Sequence, residues 1–117
     1  MKIRLFGNDQ HFELFPTGSA VFRDGDRGDE MFAVLDGAVE IVIRGKTVET
    51  MEAGDVFGEM ALVEELPRAA TAIAKSDAKL VRIDKKRFMF LVQQNPFFAL
   101  QMMTIMAGRL RRMNELL

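Results

Sequence analysis

The side chains best suited to chemistry lie in one stretch, Phe57-Gly58-Glu59-Met60-Ala61-Leu62-Val63-Glu64-Glu65-Leu66-Pro67-Arg68-Ala69-Ala70-Thr71. Gly58 lets the backbone approach a neighbour closely, and Glu59 puts a hydrogen-bond-accepting carboxylate where a one-turn helix would begin. Arg68 offers a planar, permanently charged fork for an anion with two oxygens. Backbone N–H groups at the helix start and in the Arg68-Ala69 segment are further anion donors. A sugar hydroxyl on the glutamate and a phosphate on the arginine fit this arrangement. An ordinary loop with a solvated arginine fits it as well, and the residue types alone leave both readings open.

Composition limits what else the chain can do. Its 117 residues are enough for one core but not two, and 49% hydrophobic with 28% charged residues is the balance of a soluble globular domain. A net charge of −1 provides no electrostatic footprint for nucleic acid or an anionic membrane. The absence of cysteine excludes disulfides, thiolate catalysis and cysteine-held zinc or iron–sulfur centres, and a lone His11 excludes a multi-histidine metal site. No apolar run approaches a membrane span and the N-terminus lacks a signal-peptide core, so a cytoplasmic protein with no metal and no membrane partner is expected.

The elements that must position the stretch are mostly short strands. His11–Phe15, Ser19–Arg23, Met31–Leu35, Val39–Ile43, Thr47–Met51, Ala69–Ala74 and Lys79–Ile83 read as strands, separated by turns at Pro16-Thr17-Gly18, Asp24–Glu30, Asp36-Gly37, Arg44-Gly45-Lys46, Ala53-Gly54-Asp55 and Lys75–Ala78. Asp36-Gly37 is a hairpin signal that makes Val39–Ile43 the partner of Met31–Leu35. The acidic turn at Asp24–Glu30 lacks the spacing and flanking helices of a calcium loop and reads as solvated. From Asp84, a plausible N-cap, the period changes: a helix with Phe88, Leu91 and Val92 on one face ends near Asn95. Pro96 then opens a terminal helix of roughly twenty residues, about 30 Å long.

The stretch from Phe57 to Thr71 resembles the phosphate-binding cassette of cyclic nucleotide-binding domains, as in catabolite activator proteins and regulatory subunits of cyclic-AMP-dependent kinase. That cassette reads Phe-Gly-Glu-apolar-Ala-Leu, a short variable stretch, then Pro-Arg-small-Ala-Thr. Phe15-Pro16-Thr17-Gly18, Gly25-Asp26 and Asp36-Gly37-Ala38-Val39-Glu40-Ile41 look like the turns of the same family. The resemblance implies a mainly β fold with C-terminal helices: an eight-stranded antiparallel jelly-roll barrel over about residues 12–83, with the cassette at 57–71. Residues 84–117 would then be a helical lid or dimerisation segment, with Asp84–Gln94 as the B helix and Pro96–Leu117 as the C helix, all within one domain of residues 1–117. The chain departs from the family at its ends, where the N-terminal helical segment is nearly absent and no helix-turn-helix follows.

The same resemblance assigns roles. Phe57, Gly58, Glu59, Met60 and Ala61 form the opening of the cassette, with Gly58 and Glu59 at the ribose and the Glu59 carboxylate on its 2′-hydroxyl. Arg68 pairs with the cyclic phosphate, helped by the Ala69 backbone N–H. Ile41 and Val48 pack on the purine, although they serve equally well as ordinary strand residues. Met113 and Asn114 reach the base from the far end of the C helix. Alanine at position 69, rather than serine or threonine, points to cyclic AMP over cyclic GMP. Thr71 is read as structural.

On the terminal helix, Ala99, Met103, Met106, Leu110, Met113 and Leu117 follow a 4-3-4-3-4 seam, while Phe98, Met102, Ile105 and Leu116 form a second apolar stripe. One stripe would pack within the chain and the other against a second copy, giving a homodimer. Arg109, Arg111 and Arg112 complement the helix C-terminus. The expectation is a cyclic-nucleotide sensor that relays binding through this helix to an output partner the chain does not encode. The alternatives are a scaffold that keeps the fold without the ligand, or a sensor domain cut from a longer regulator. A cupin-like enzyme lacks its histidines, no nucleophile–base pair is visible, and no helix is suited to reading DNA, so neither catalysis, a cofactor nor direct nucleic-acid binding is expected.

Overall fold

The computed structural model describes residues 1–7, 9 and 11–116; Leu117, the last residue of the expected seam, lies outside them. Alternating apolar residues become eight strands: β1 (Glu13–Phe15), β2 (Ala20–Phe22), β3 (Glu30–Asp36), β4 (Val39–Ile43), β5 (Lys46–Met51), β6 (Val56–Phe57), β7 (Thr71–Ala74) and β8 (Ala78–Asp84). They form two four-stranded antiparallel sheets, ordered β1-β8-β3-β6 and β2-β7-β4-β5. A short helix, α1 (Glu59–Glu64), interrupts the strands, and two helices follow them, α2 (Lys85–Gln94) and α3 (Pro96–Glu115). This is the antiparallel jelly roll with C-terminal helices expected above, each sheet keeping its own hydrogen-bond ladder rather than sharing a closed one.

Phe15, Phe32, Val34, Phe57 and Leu80 from one sheet meet Val39, Met51, Ala72 and Ala74 from the other in a buried cluster. Burying such side chains contributes about 1.5–3 kcal/mol each for the larger ones, so this seam holds the sheets together. The β4–β5 hairpin turns through Arg44 (φ +53°) and Gly45 (φ +77°), the positive pair that a two-residue hairpin requires. Further along the same pair, Ile41 faces Glu49 and Val42 faces Thr47, which leaves Val48 as the extra residue of a bulge.

Two local readings are corrected. Asp36-Gly37 does not close a hairpin: β3 pairs with β8 and β6, while β4 pairs with β5 and β7, so the turn carries the chain from one sheet to the other. Gly37 is needed there because its φ is +82° and an added Cβ would sit 2.3 Å from the Asp77 carbonyl oxygen. The loop beside it is pinned by Asp77, whose Oδ1 accepts from the Thr17 backbone N–H at 2.8 Å and its hydroxyl at 2.9 Å. The two-residue strand β6 was not expected, because Val56-Phe57 is too short to show alternation.

The chain divides into two compact units, Lys2–Lys85 and a helical unit from Lys86 onward. In the helical unit, the Asn95 side chain accepts from Phe98 N–H and Pro96 occupies the first turn, so α3 starts where its sequence signals it. Phe88 and Phe98 meet edge to face with centroids 5.7 Å apart. Of one apolar stripe of α3, Phe98 and Met102 are buried but Leu116 is 86% exposed, and of the other, Met103, Leu110 and Met113 are each more than 60% exposed. Among the described residues, no helix is long and apolar enough to cross a membrane, and no cluster of three potential metal-binding side chains occurs.

Candidate functional site

Phe57 ends β6 and the chain turns sharply at Gly58, whose φ of +81° few other residues adopt. An added Cβ at Gly58 would also lie 2.8 Å from Arg68 Nη1, so the residue is required for both conformation and space. The helix α1 starts at once, with Glu59 only 1% exposed in its first position. Ala61 and Leu62 face the same interior, while Met60, Val63 and Leu66 are more than half exposed. The helix stops at Glu65, which takes a left-handed conformation (φ +59°) and donates its N–H to Ala61 O at 2.9 Å. Its carboxylate pairs with Lys85, which holds its pKa below the ordinary glutamate range.

Pro67 then delivers Arg68 back under the turn. Its side chain is 7% exposed, an unusual place for an arginine. Nη1 donates to Gly58 O at 2.8 Å and Nη2 to Glu30 O at 2.5 Å, while Nε has no partner. Cζ rests 4.1 Å from the centre of the Phe22 ring. Burial pushes the Arg68 pKa down, and the carboxylates of Asp29, Glu30 and Asp26 oppose that shift, so the guanidinium stays cationic.

The acidic turn between β2 and β3, expected to be merely solvated, is a wall of this site. Gly25 N–H donates to Arg68 O and Arg68 N–H to Asp26 O, both at 2.8 Å. Thr71, read as structural, has that role: its hydroxyl oxygen accepts from Asp24 N–H at 3.0 Å. At Gly28 an added Cβ would lie 2.5 Å from Arg68 Nε and 2.7 Å from Ala61 Cβ, so the turn packs directly on the guanidinium. Sequence reasoning missed Phe22, Gly28 and Glu30. The Asp-Gly-rich turn was visible, but nothing local says that it meets residues some forty positions away.

The structure therefore gathers Phe57, Gly58, Glu59, Ala61 and Arg68 into one buried corner, with Met60 and Ala69 on its exposed side. Ile41 is half-buried on β4 against the core cluster. Val48, on its bulge, is 57% exposed. Met113 and Asn114 are exposed on the last turns of α3, within the helical unit. Chemically, the corner holds one cation whose Nε–H has no protein partner and one buried carboxylate directly after a positive-φ glycine. That is a donor–acceptor set for a small anion carrying a hydroxyl.

Residues 12–95 match the family model for the cyclic nucleotide-binding domain. The chain belongs to that family. As a cyclic nucleotide-binding domain it is 44% identical over 79 residues to Rap guanine nucleotide exchange factor 1 of Caenorhabditis elegans, covering 67% of this chain and 8% of that one. Similarity to the cyclic AMP receptor protein of Thermus thermophilus runs over 103 residues at 30% identity, 84% of this chain and 48% of that protein. The chain thus spans less than half the length of these curated relatives. Among solved structures, the Thermus thermophilus catabolite activator protein superposes with a TM-score of 0.81 at 29% identity, covering 89% of this chain and 51% of that one. A cAMP-bound structure of PfPKA-R superposes with a TM-score of 0.75 at 29% identity, covering 91% and 36%. The family membership makes this domain a regulatory cyclic-nucleotide-binding module.

Proposed function

We propose that the domain binds cyclic AMP in preference to cyclic GMP, with Arg68 on the cyclic phosphate and Glu59 on the ribose 2′-hydroxyl. The observation that carries this reading is the buried Arg68 guanidinium, whose Nε–H has no protein partner although both terminal nitrogens do. A phosphate oxygen is the acceptor that such a cation lacks, and charge-assisted bonds of this kind contribute about 1.5–3 kcal/mol each. Two or three of them with purine burial reach the about −8.2 kcal/mol of micromolar affinity. The cAMP in the PfPKA-R structure and the name of the Thermus receptor protein support cyclic AMP as the nucleotide. Alanine at position 69 offers no hydroxyl to a guanine amino group. Ile41 and Val48 line the purine side.

Binding acts as a switch by favouring one arrangement of the cassette and the C-terminal helices over another, residues 1–117 working as one regulatory module rather than as a catalyst. The exposed stripe of Met103, Leu110 and Met113 is the surface for a second copy, and a separate output protein reads the result. Calorimetric titration of the nucleotide-free domain with cyclic AMP and cyclic GMP tests the reading. Arg68→Ala should weaken cyclic AMP binding more than Ile41→Ala does. Equal losses would remove Arg68 from its role, and no binding of either nucleotide would leave a scaffold that keeps the fold.

A further inference from the structure

Arg68 does not sit in a generic apolar hole. Its Cζ lies 4.1 Å from the Phe22 ring centre but 5.9 Å from that of Phe32, so one ring carries the guanidinium. Phe22 is itself braced by tilted contacts to Phe32 and Phe57, centroids 6.0 Å apart in each case, and those two rings stack at 5.4 Å. The glycine positions close the rest of the slot: a Cβ at Gly28 would press on Nε and Cζ, and one at Gly58 on Nη1. Within the slot only the in-plane N–H groups can reach acceptors. The Gly58 and Glu30 carbonyls take one from each terminal nitrogen, and Nε–H meets no acceptor at all.

We infer that Phe22 is a positioning residue for Arg68, its ring face holding the guanidinium in one plane before an anion arrives. The physical need is clear from the burial. Removing a cation from water is unfavourable, and the negative face of an aromatic ring compensates part of that cost without occupying an N–H. A backbone carbonyl or carboxylate could stabilise the charge as well, but it would take the hydrogen that the ligand needs. An aliphatic side chain would fill the space and stabilise no charge. The residue is half-buried at the end of β2, outside the cassette and far from it in sequence.

The affinity arm of the test rests on the cyclic-nucleotide reading; the spectroscopic arm does not. In ligand-free protein, ring current from Phe22 should shift the Arg68 Nε–H resonance upfield, and Phe22→Leu should abolish that shift while Phe22→Tyr keeps it. In titrations with cyclic AMP, Phe22→Leu should bind about fivefold more weakly and Phe22→Tyr within about twofold of the parent, the span expected of one partly desolvated cation–π contact. An Nε–H resonance unmoved by Phe22→Leu overturns the inference. So do equal affinity losses in the leucine and tyrosine variants, which would mark a packing role. If the parent protein does not bind cyclic AMP, the nucleotide reading fails, and the resonance alone decides the role of Phe22.

Discussion

Gly28→Ala tests the site through a residue that touches no ligand in the proposed scheme. Gly28 does not have a positive φ, so alanine meets no backbone strain there; the obstacle is space alone. The new methyl would lie 2.5 Å from Arg68 Nε, 2.7 Å from Cζ and 2.7 Å from Ala61 Cβ. Ala61 cannot move aside by a rotamer change, and the guanidinium is tied to two carbonyls, so either the turn lifts or Arg68 leaves its plane. Overpacking of this kind costs about 1–3 kcal/mol of stability. Losing a single charge-assisted bond to the phosphate would cost about 1.5–3 kcal/mol more in binding. In affinity for cyclic AMP that is roughly a ten- to hundredfold loss. Gly18→Ala, in the turn between β1 and β2, is the control. Gly18 has φ +86° and nothing within 4 Å of an added Cβ, so alanine there strains the backbone and crowds nothing. It should lower stability by about 1–2 kcal/mol and leave the affinity near that of the parent. Calorimetry with cyclic AMP and denaturant unfolding on both variants would separate the effects. Unchanged affinity in Gly28→Ala, or a larger loss in Gly18→Ala, would refute the packing argument.

Glu59→Gln should weaken cyclic AMP by about tenfold, one charged hydrogen bond, and 2′-deoxy cyclic AMP hardly at all; equal losses in parallel titrations would take the carboxylate off the ribose. Asp77 accepts two hydrogen bonds from Thr17, backbone first, which hold its pKa below the ordinary 3.8. Its contribution to stability should therefore be complete above about pH 4 and fade as pH falls through the lower folded value. Unfolding curves of the parent and Asp77→Asn should accordingly differ at neutral pH and converge in acid, whereas a constant gap would count against the pairing. Leu110→Glu, on the exposed stripe of α3, should shift the protein toward monomer in sedimentation velocity; an unchanged distribution would count against that stripe as the contact between copies.

The candidate site residues were visible because they are contiguous: a turn glycine, a helix-opening glutamate and a proline-led arginine occupy one stretch, and the family resemblance, not the residue types alone, favoured an anion site over a solvated loop. The terminal helices were legible for a similar reason, since Asn95-Pro96 and the apolar period are signals between residues a few positions apart. Evenly spaced turns and alternation pointed to antiparallel strands, and the family resemblance made them a jelly roll. Partner choice did not. Asp36-Gly37 announced a reversal, yet whether the two flanking strands share a ladder depends on which neighbours compete for their edges, and β8 and β7 won. The arginine's surroundings were equally hidden. Its carbonyl partner Glu30 is 38 residues away, and the ring beneath it belongs to a strand whose sequence, Ala20-Val21-Phe22, says only that it is apolar. Gly28 carries no conformational signature at all, because what it provides is the absence of a methyl against a side chain that arrives from another sheet connection. Local sequence determines what each turn and helix can be. Only the folded chain decides that a buried cation lies against the Phe22 ring with its Nε–H unpartnered, because those facts are set by distance in space between segments that no short-range rule links.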